Sequence, residues 1–242
     1  MINGDKLIHV LNDHANDFYP ILPFDESKDK IVGVNLSKSN PEFTEEIYGD
    51  EQKFEAYINN KRTSAGAKYL NGGYKEQRQM YRRSNLFDKN ITEPDILDYE
   101  PRSLHLGTDI WGKEDTKIFA PIGGMVHSFA YNNNFGDYGA TIILQHQLHS
   151  VNFYVLYGHL ALKNIEGLRK GKFIIRGEQF ANFGSYEENG NWPPHLHLQL
   201  IVDMGMYEGD YPGVCKMSEA EKYLKNSPDP DALLRMQRYV SA

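Results

Sequence analysis

The chain is short of the features that would mark several protein classes. It has one cysteine, Cys215, among 242 residues, which excludes an internal disulfide and a cysteine-rich zinc module. Any metal must therefore be held by imidazoles and carboxylates. No apolar run approaches the roughly 18 residues needed to span a bilayer, so no membrane span is expected. Met1 to Phe18 interleaves Asp5, Lys6, Asn12 and Asp13 with its apolar residues, unlike a secretory leader. A cytoplasmic location is the expectation for the sequence as it stands, and an extracytoplasmic one if a leader has been trimmed away. Positive charge is scarce as well: 26 Lys and Arg stand against 33 Asp and Glu, a formal net charge of −7. Neither half of the chain carries a basic surplus, so there is no broad surface for phosphates, and nucleic acid is excluded as a partner. Internal repeats and low-complexity tracts are absent too. What remains, 40% hydrophobic and 24% charged residues, is the composition of a globular protein able to bury a sizeable core.

The first hundred residues lack sustained alternation and read as short helices between punctuated loops. Leu7, Val10, Leu11, Ala15 and Phe18 fall on one face of a helix over Asp5 to Phe18, stopped by Pro20 to Pro23. A second helix is expected over Pro41 to Asn60, with Glu42, Glu45 and Glu46 near its start and an interruption at Gly49. After Gly72 and Gly73, Tyr74 to Asn85 reads as a helix with Lys75, Arg78 and Arg82 along one side, read as a solvated face in preference to a docking surface for an anionic partner. From about His105 the texture changes to short β-type segments: His105 to Trp111, Gly124 to Ala130, Gly139 to Gln147, Val151 to Leu160, Phe173 to Phe180 and His195 to Val202. Turn residues separate them, and their regular spacing predicts an antiparallel sheet or distorted sandwich. From Lys216 the tail returns to short helices, with a capping box at Ser218 and Glu221 and an N-cap at Asp229 before Pro230. The fold class expected is mainly β, with a helical N-terminal accessory region over 1–95 and a second unit over 96–242 that ends in helices.

Nine histidines are present, and their spacing carries more information than their number. In His105-Leu106-Gly107-Thr108-Asp109, positions i and i+4 of a straight strand would lie about 13 Å apart on one face. Gly107 must bend the backbone if the two are to converge. In His195-Leu196-His197 the strand period of two puts both imidazoles on one face and Leu196 with Leu198 on the other. His159 ends the most hydrophobic segment, just after Gly158, where a close approach is possible. Singly, each has a structural explanation; together they supply nitrogens and a carboxylate for a divalent cation, plus spare imidazoles to move protons. His9 and His14 in the first helix, His127 in a strand, and His146 and His149 around a hairpin turn read as surface or packing residues.

The order H-L-G-T-D, Y-G-H-L, H-L-H resembles the M23 family of zinc metallopeptidases, of the lysostaphin type. The segments Phe119 to Val126 and Gly136 to Leu144 look like that family's connecting strands, and the likeness covers about residues 100 to 205. It implies an antiparallel β architecture of the duplicated hybrid motif type, shared with the glucose-permease phosphocarrier domain, with an open groove for an extended peptide. It also implies one zinc per chain on His105, Asp109 and His197, with His159 and His195 as the catalytic pair. Tyr99, six residues before His105, stands where a family tyrosine helps stabilise the oxyanion. The implied activity is hydrolysis of a peptide, including peptidoglycan cross-bridges. Two departures stand out. Asn189 to Pro194 replaces the small-residue lead-in to H-x-H, which makes Trp192 a candidate substrate platform or lid, with Tyr157 a further candidate for substrate contact. The absence of a leader motivates a second reading, a non-hydrolytic binding module that keeps a zinc-stabilised groove. A third is latency, in which the N-terminal region covers the groove and donates a fourth ligand. The oligomeric state is left open.

Overall fold

The structure, a computed structural model, describes residues 4–87 and 100–241. Its strands are β1 (Ile31–Val34), β2 (Tyr69–Gly72), β3 (Leu104–His105), β4 (Thr108–Trp111), β5 (Lys117–Phe119), β6 (Gly124–Asn132), β7 (Gly139–Leu148), β8 (Val151–Leu160), β9 (Phe173–Ile174), β10 (Gln179–Asn182), β11 (His195–Ile201), β12 (Val214–Cys215) and β13 (Val240–Ser241). Its α-helices are α1 (Gly4–Asp13), α2 (Glu45–Tyr48), α3 (Glu51–Ser64), α4 (Ala220–Asn226) and α5 (Asp231–Leu234). Among the described residues, nine strands form one sheet in the order β13-β1-β2-β4-β11-β8-β7-β6-β9, while β5 pairs with β10 and β3 with β12. The fold is mainly β, as expected. Neighbours from β2 to β9 are antiparallel, but β1 runs parallel to both β2 and β13, so the large sheet is mixed.

Hydrophobic alternation explains the centre of this sheet. β7 and β8 meet with Leu148 opposite Val151, which leaves a two-residue turn at His149 and Ser150. His149 there adopts a left-handed φ of 51°, as tight hairpin turns require. On one face, Leu196, Leu198 and Leu200 of β11 pack with Ile142, Leu144, Val155 and Tyr157, and Leu7 and Leu11 of α1 join the same core. Near β4 a second cluster gathers Trp111, Trp192, Leu70, Phe54 and Ile58. All seven residues of β11 are buried, because both faces of this central strand are covered.

The N-terminal region departs from its expected helices. The first helix ends at Asp13, and a short 3-10 turn follows over Ala15–Asp17. The second divides at Gly49 into α2 and α3, as expected, and α3 starts from Asp50, whose carboxylate accepts the Lys53 N–H at 2.9 Å. Two strands, β1 and β2, were not expected there at all, and they extend the large sheet past β4. No α-helix covers Tyr74 to Asn85. Gln77 instead bridges Leu104, and only Met80–Arg83 turns as a 3-10 helix. Backbone pairing with the chain around β3 outweighs the local helical spacing. At the other end, Ser218 does not cap α4. Its N–H goes to the Glu100 carboxylate, whereas Asp229 accepts the Asp231 N–H at the start of α5.

Candidate metal centre

Three elements bring His105, Asp109 and His197 together. β11 pairs with β4 so that His197 lies opposite Asp109 and His195 opposite Trp111. His105 belongs to β3, outside the large sheet, and reaches the same face because the chain bends at Leu106 and Gly107. A Cβ on Gly107 would sit 2.5 Å from the His197 ring and 2.7 Å from the Leu198 carbonyl oxygen, so only glycine permits the bend. His105 Nε2 then lies 3.0 Å from His197 Nδ1 and 3.3 Å from Asp109 Oδ1, and His197 Nδ1 lies 3.1 Å from that oxygen. All three residues are buried.

The surroundings decide where the protons are. His105 Nδ1 faces the Gly73 carbonyl oxygen at 3.0 Å, so it carries hydrogen and leaves Nε2 bare. Gln199 gives its amide nitrogen to the Pro212 carbonyl and to Ser227 Oγ, which turns Oε1 toward His197 Nε2 at 3.0 Å. That nitrogen must donate, and His197 Nδ1 is left as a lone pair. Two lone pairs and a carboxylate oxygen thus converge with no hydrogen among them, an arrangement that calls for a cation. Zinc bonds of 2.0–2.2 Å in a tetrahedron separate ligand atoms by about 3.3 Å, close to the spacing found. Burial alone would raise the Asp109 pKa, but its charged and hydrogen-bonding neighbours, the Arg78 guanidinium among them, outweigh it and hold the carboxyl well below the usual range. Among the described residues no fourth imidazole, thiolate or carboxylate joins this group.

His195 and His159 stand beside it. Trp111 stacks on His195 with ring centres 3.9 Å apart, and His159 covers the other side at 4.0 Å. Each ring donates Nδ1–H to a backbone carbonyl, His195 to Pro193 and His159 to Asn189, so each has Nε2 free as a proton acceptor. His195 Nε2 is 4.0 Å from Asp109 Oδ1. Burial lowers the His195 pKa to about 4 despite the nearby Asp109, and burial with the adjacent His195 pushes His159 well below its ordinary value. Both imidazoles are neutral at pH 7.

A cavity of about 270 Å³ opens onto these five side chains. Trp192 is part of its wall, but its ring is fixed edge-on against Phe54 and Tyr81, its indole N–H bonds the Asp137 carbonyl, and it is only 3% exposed. It is a rigid wall rather than a lid. Tyr157 is absent from the cavity lining: it lies opposite Leu198 on the core face and packs on Phe180, which corrects its reading as a substrate contact. Tyr99 lies outside the described residues. Two participants escaped the sequence reading. Tyr138 packs 5.1 Å from His197 and 5.6 Å from His159 and donates its hydroxyl to the Tyr211 carbonyl; a Gly-Asp-Tyr-Gly turn was its only local signal. Arg78, placed on a solvated helix face, is instead 1% exposed and bonds Asp109 Oδ2 at 2.5 Å.

A mainly β fold with a buried two-histidine, one-carboxylate acceptor cluster defines a protein with a candidate metal site and a cavity beside it. Residues 103–207 match the sequence model of peptidase family M23. No curated protein matches it. Similar solved structures include a zinc-containing peptidase from Vibrio cholerae, 24% identical over 48% of this chain and 32% of that one, with a TM-score of 0.33. The catalytic domain of the antimicrobial peptidase lysostaphin from Staphylococcus simulans is 17% identical over 75% and 97%, with a TM-score of 0.41. Csd3 from Helicobacter pylori is 23% identical over 57% and 35%, with a TM-score of 0.32. The chain spans about a third of the Vibrio and Helicobacter proteins. No helix among the described residues is long and apolar enough to cross a membrane.

Proposed function

We propose that the protein is a zinc-dependent endopeptidase that hydrolyses an extended peptide, of which a peptidoglycan cross-bridge is the leading example, with one zinc held by His105, Asp109 and His197. The convergence of three hydrogen-free acceptor atoms carries this reading. When bound there, zinc supplies Lewis acidity for water activation and carbonyl polarisation. The chain supplies the proton handling. His195 and His159, neutral and with Nε2 free, accept a proton from the attacking water, and the imidazolium so formed returns it to the leaving amine nitrogen or hydrogen-bonds the tetrahedral oxyanion. Trp192 walls the substrate groove. A role for Tyr99 at the oxyanion is retained as part of the proposal. A wall-peptide substrate would place the protein outside the cytoplasm. The N-terminal region, assigned to 1–95, serves as support for the site, since β2 and the chain after it wrap His105 and Asp109.

Protein purified without chelator should contain about one zinc per chain, and His105→Ala should lose it. Incubating the zinc form with peptidoglycan, pentaglycine and a general peptide library, with products weighed by mass spectrometry, identifies the scissile bond. Metal-free wild type that still hydrolyses peptides would sink the proposal. Zinc-loaded protein that binds one of these ligands without cleaving it is the non-hydrolytic module instead.

A further inference from the structure

We infer that Arg78 is a positioning residue of this centre: it pins the outer oxygen of Asp109, so that the carboxylate presents a single oxygen to the metal and one coordination position stays open. The inference rests on the zinc reading above. It concerns a segment, residues 69–83, that lies outside the 103–207 family match.

The geometry assembles in steps. β2 pairs with β4 so that Gly72 lies opposite Asp109. The chain then folds around the first ligand: Gly73 accepts from His105 Nδ1, Lys75 N–H donates to the His105 carbonyl, and His105 N–H donates to the Glu76 carbonyl. This delivers the Arg78 side chain, fully buried, with Nη1 at 2.5 Å from Asp109 Oδ2 and Nε at 2.6 Å from Glu76 Oε2. The other Glu76 oxygen accepts the Leu36 N–H at 2.8 Å, just past β1. A strut of hydrogen bonds therefore runs from the backbone at Leu36 through Glu76 and Arg78 to Asp109. Gly72 leaves room for it, because a Cβ there would come within 3.2 Å of Arg78 Nη2.

Two of the Asp109 oxygen's roles are thus separated: Oδ1 faces His105 and His197, and Oδ2 faces Arg78. A planar guanidinium fork bridging two carboxylates fixes both directions, which a solvent molecule cannot do. Without Arg78, Oδ2 is free to turn toward the metal, the carboxylate becomes bidentate, and the position needed by water or a carbonyl oxygen is taken up. The cation also draws charge from Asp109 and keeps the metal electrophilic. A guanidinium whose role was only to stabilise the fold would alter stability and leave the metal's coordination as it was.

The test uses the full chain with zinc or cobalt. In Glu76→Gln/Arg78→Met, which removes both charges of this pair so that neither is left without the other, one equivalent of metal is still taken up. The visible absorption of the cobalt form weakens as coordination rises from four, and kcat of the zinc form falls at least about tenfold with KM little changed. Arg78→Lys, which keeps the charge but not the fork, guards against a misfolded double variant and should show the same changes to a smaller degree. Folded, metal-loaded variants with a wild-type cobalt spectrum and wild-type kcat overturn the role of Arg78 alone. Wild type that takes up neither zinc nor cobalt overturns the metal reading beneath it.

Discussion

Tyr157 and His159 are two residues apart on β8, and simple alternation would turn them to the same face. They face opposite ways. The register with β11 sets Tyr157 against Leu198 on the core side and Gly158 against His197 on the site side. His159 then takes a φ of 61°, which redirects its ring toward His195. A left-handed conformation costs a non-glycine residue about 1–2 kcal/mol, and it is held here because the His159 N–H donates to the Tyr138 carbonyl while its own carbonyl accepts from Gly184. Strain of this kind gathers at functional sites. Tyr157 carries a different burden, a buried hydroxyl with no hydrogen-bond partner among the described residues. Tyr157→Phe removes that unpaired group, so thermal unfolding should move up by about 2–4 °C, equivalent to roughly 1 kcal/mol. Peptidase kcat and KM should stay at wild-type values, and a raised KM would return Tyr157 to the substrate groove.

At the scale of elements, Gly107 is the sharpest case. It joins β3 to β4 under a His197 ring that leaves no space for a methyl group. Gly107→Ala should displace His197 or unbend the chain and weaken zinc binding by about 10–100-fold, measured by competition with a chelator; unchanged affinity would show that the bend tolerates a side chain. The need for this bend was legible, since His105 and Asp109 could not meet on a straight strand. β8 and the pairing of His195 with His197 were legible for the same reason, a period of two written in adjacent residues. β1 and β2 were not. Each is four residues long, and β1 pairs in parallel with residues nearly forty and more than two hundred positions away, so its burial depends on partners that no local pattern shows. The strut residue Arg78 was lost with them, because Lys75, Arg78 and Arg82 happen to fall at helical spacing. Their segment is held by long-range bonds instead: Arg78 N–H donates to the Ser103 carbonyl, and Gln77 bridges Leu104.

For the molecule as a whole, buried histidines with lowered pKa values contribute to the response to acid. His146 reports on this apart from the metal centre. It sits in β7, 1% exposed, with its ring stacked on Phe153 and Nδ1 bonded to the Gly123 carbonyl. Gly124 makes the space, because a Cβ there would lie 2.5 Å from the ring. Burial lowers the His146 pKa from 6.5 to about 4, against a small opposing effect of the Gly123 hydrogen bond. Above pH 6.5 the folded and unfolded states are both neutral at this position. As pH falls toward 4 the unfolded chain takes up a proton that the folded chain refuses, so the stability present at neutral pH is progressively lost. The depressed pKa corresponds to a loss of about 2.5 kcal/mol between pH 7 and 4.5. The large sheet links β7 directly to β8 and β6, so this local cost should appear in cooperative unfolding. His146→Gln keeps a donor for the Gly123 carbonyl and cannot charge. Urea unfolding of both zinc-loaded proteins at pH 7 and pH 4.5 should show the variant losing less stability than wild type by about that amount. Equal losses would mean that the wild-type ring stays accessible to protons, and that the acid response lies elsewhere.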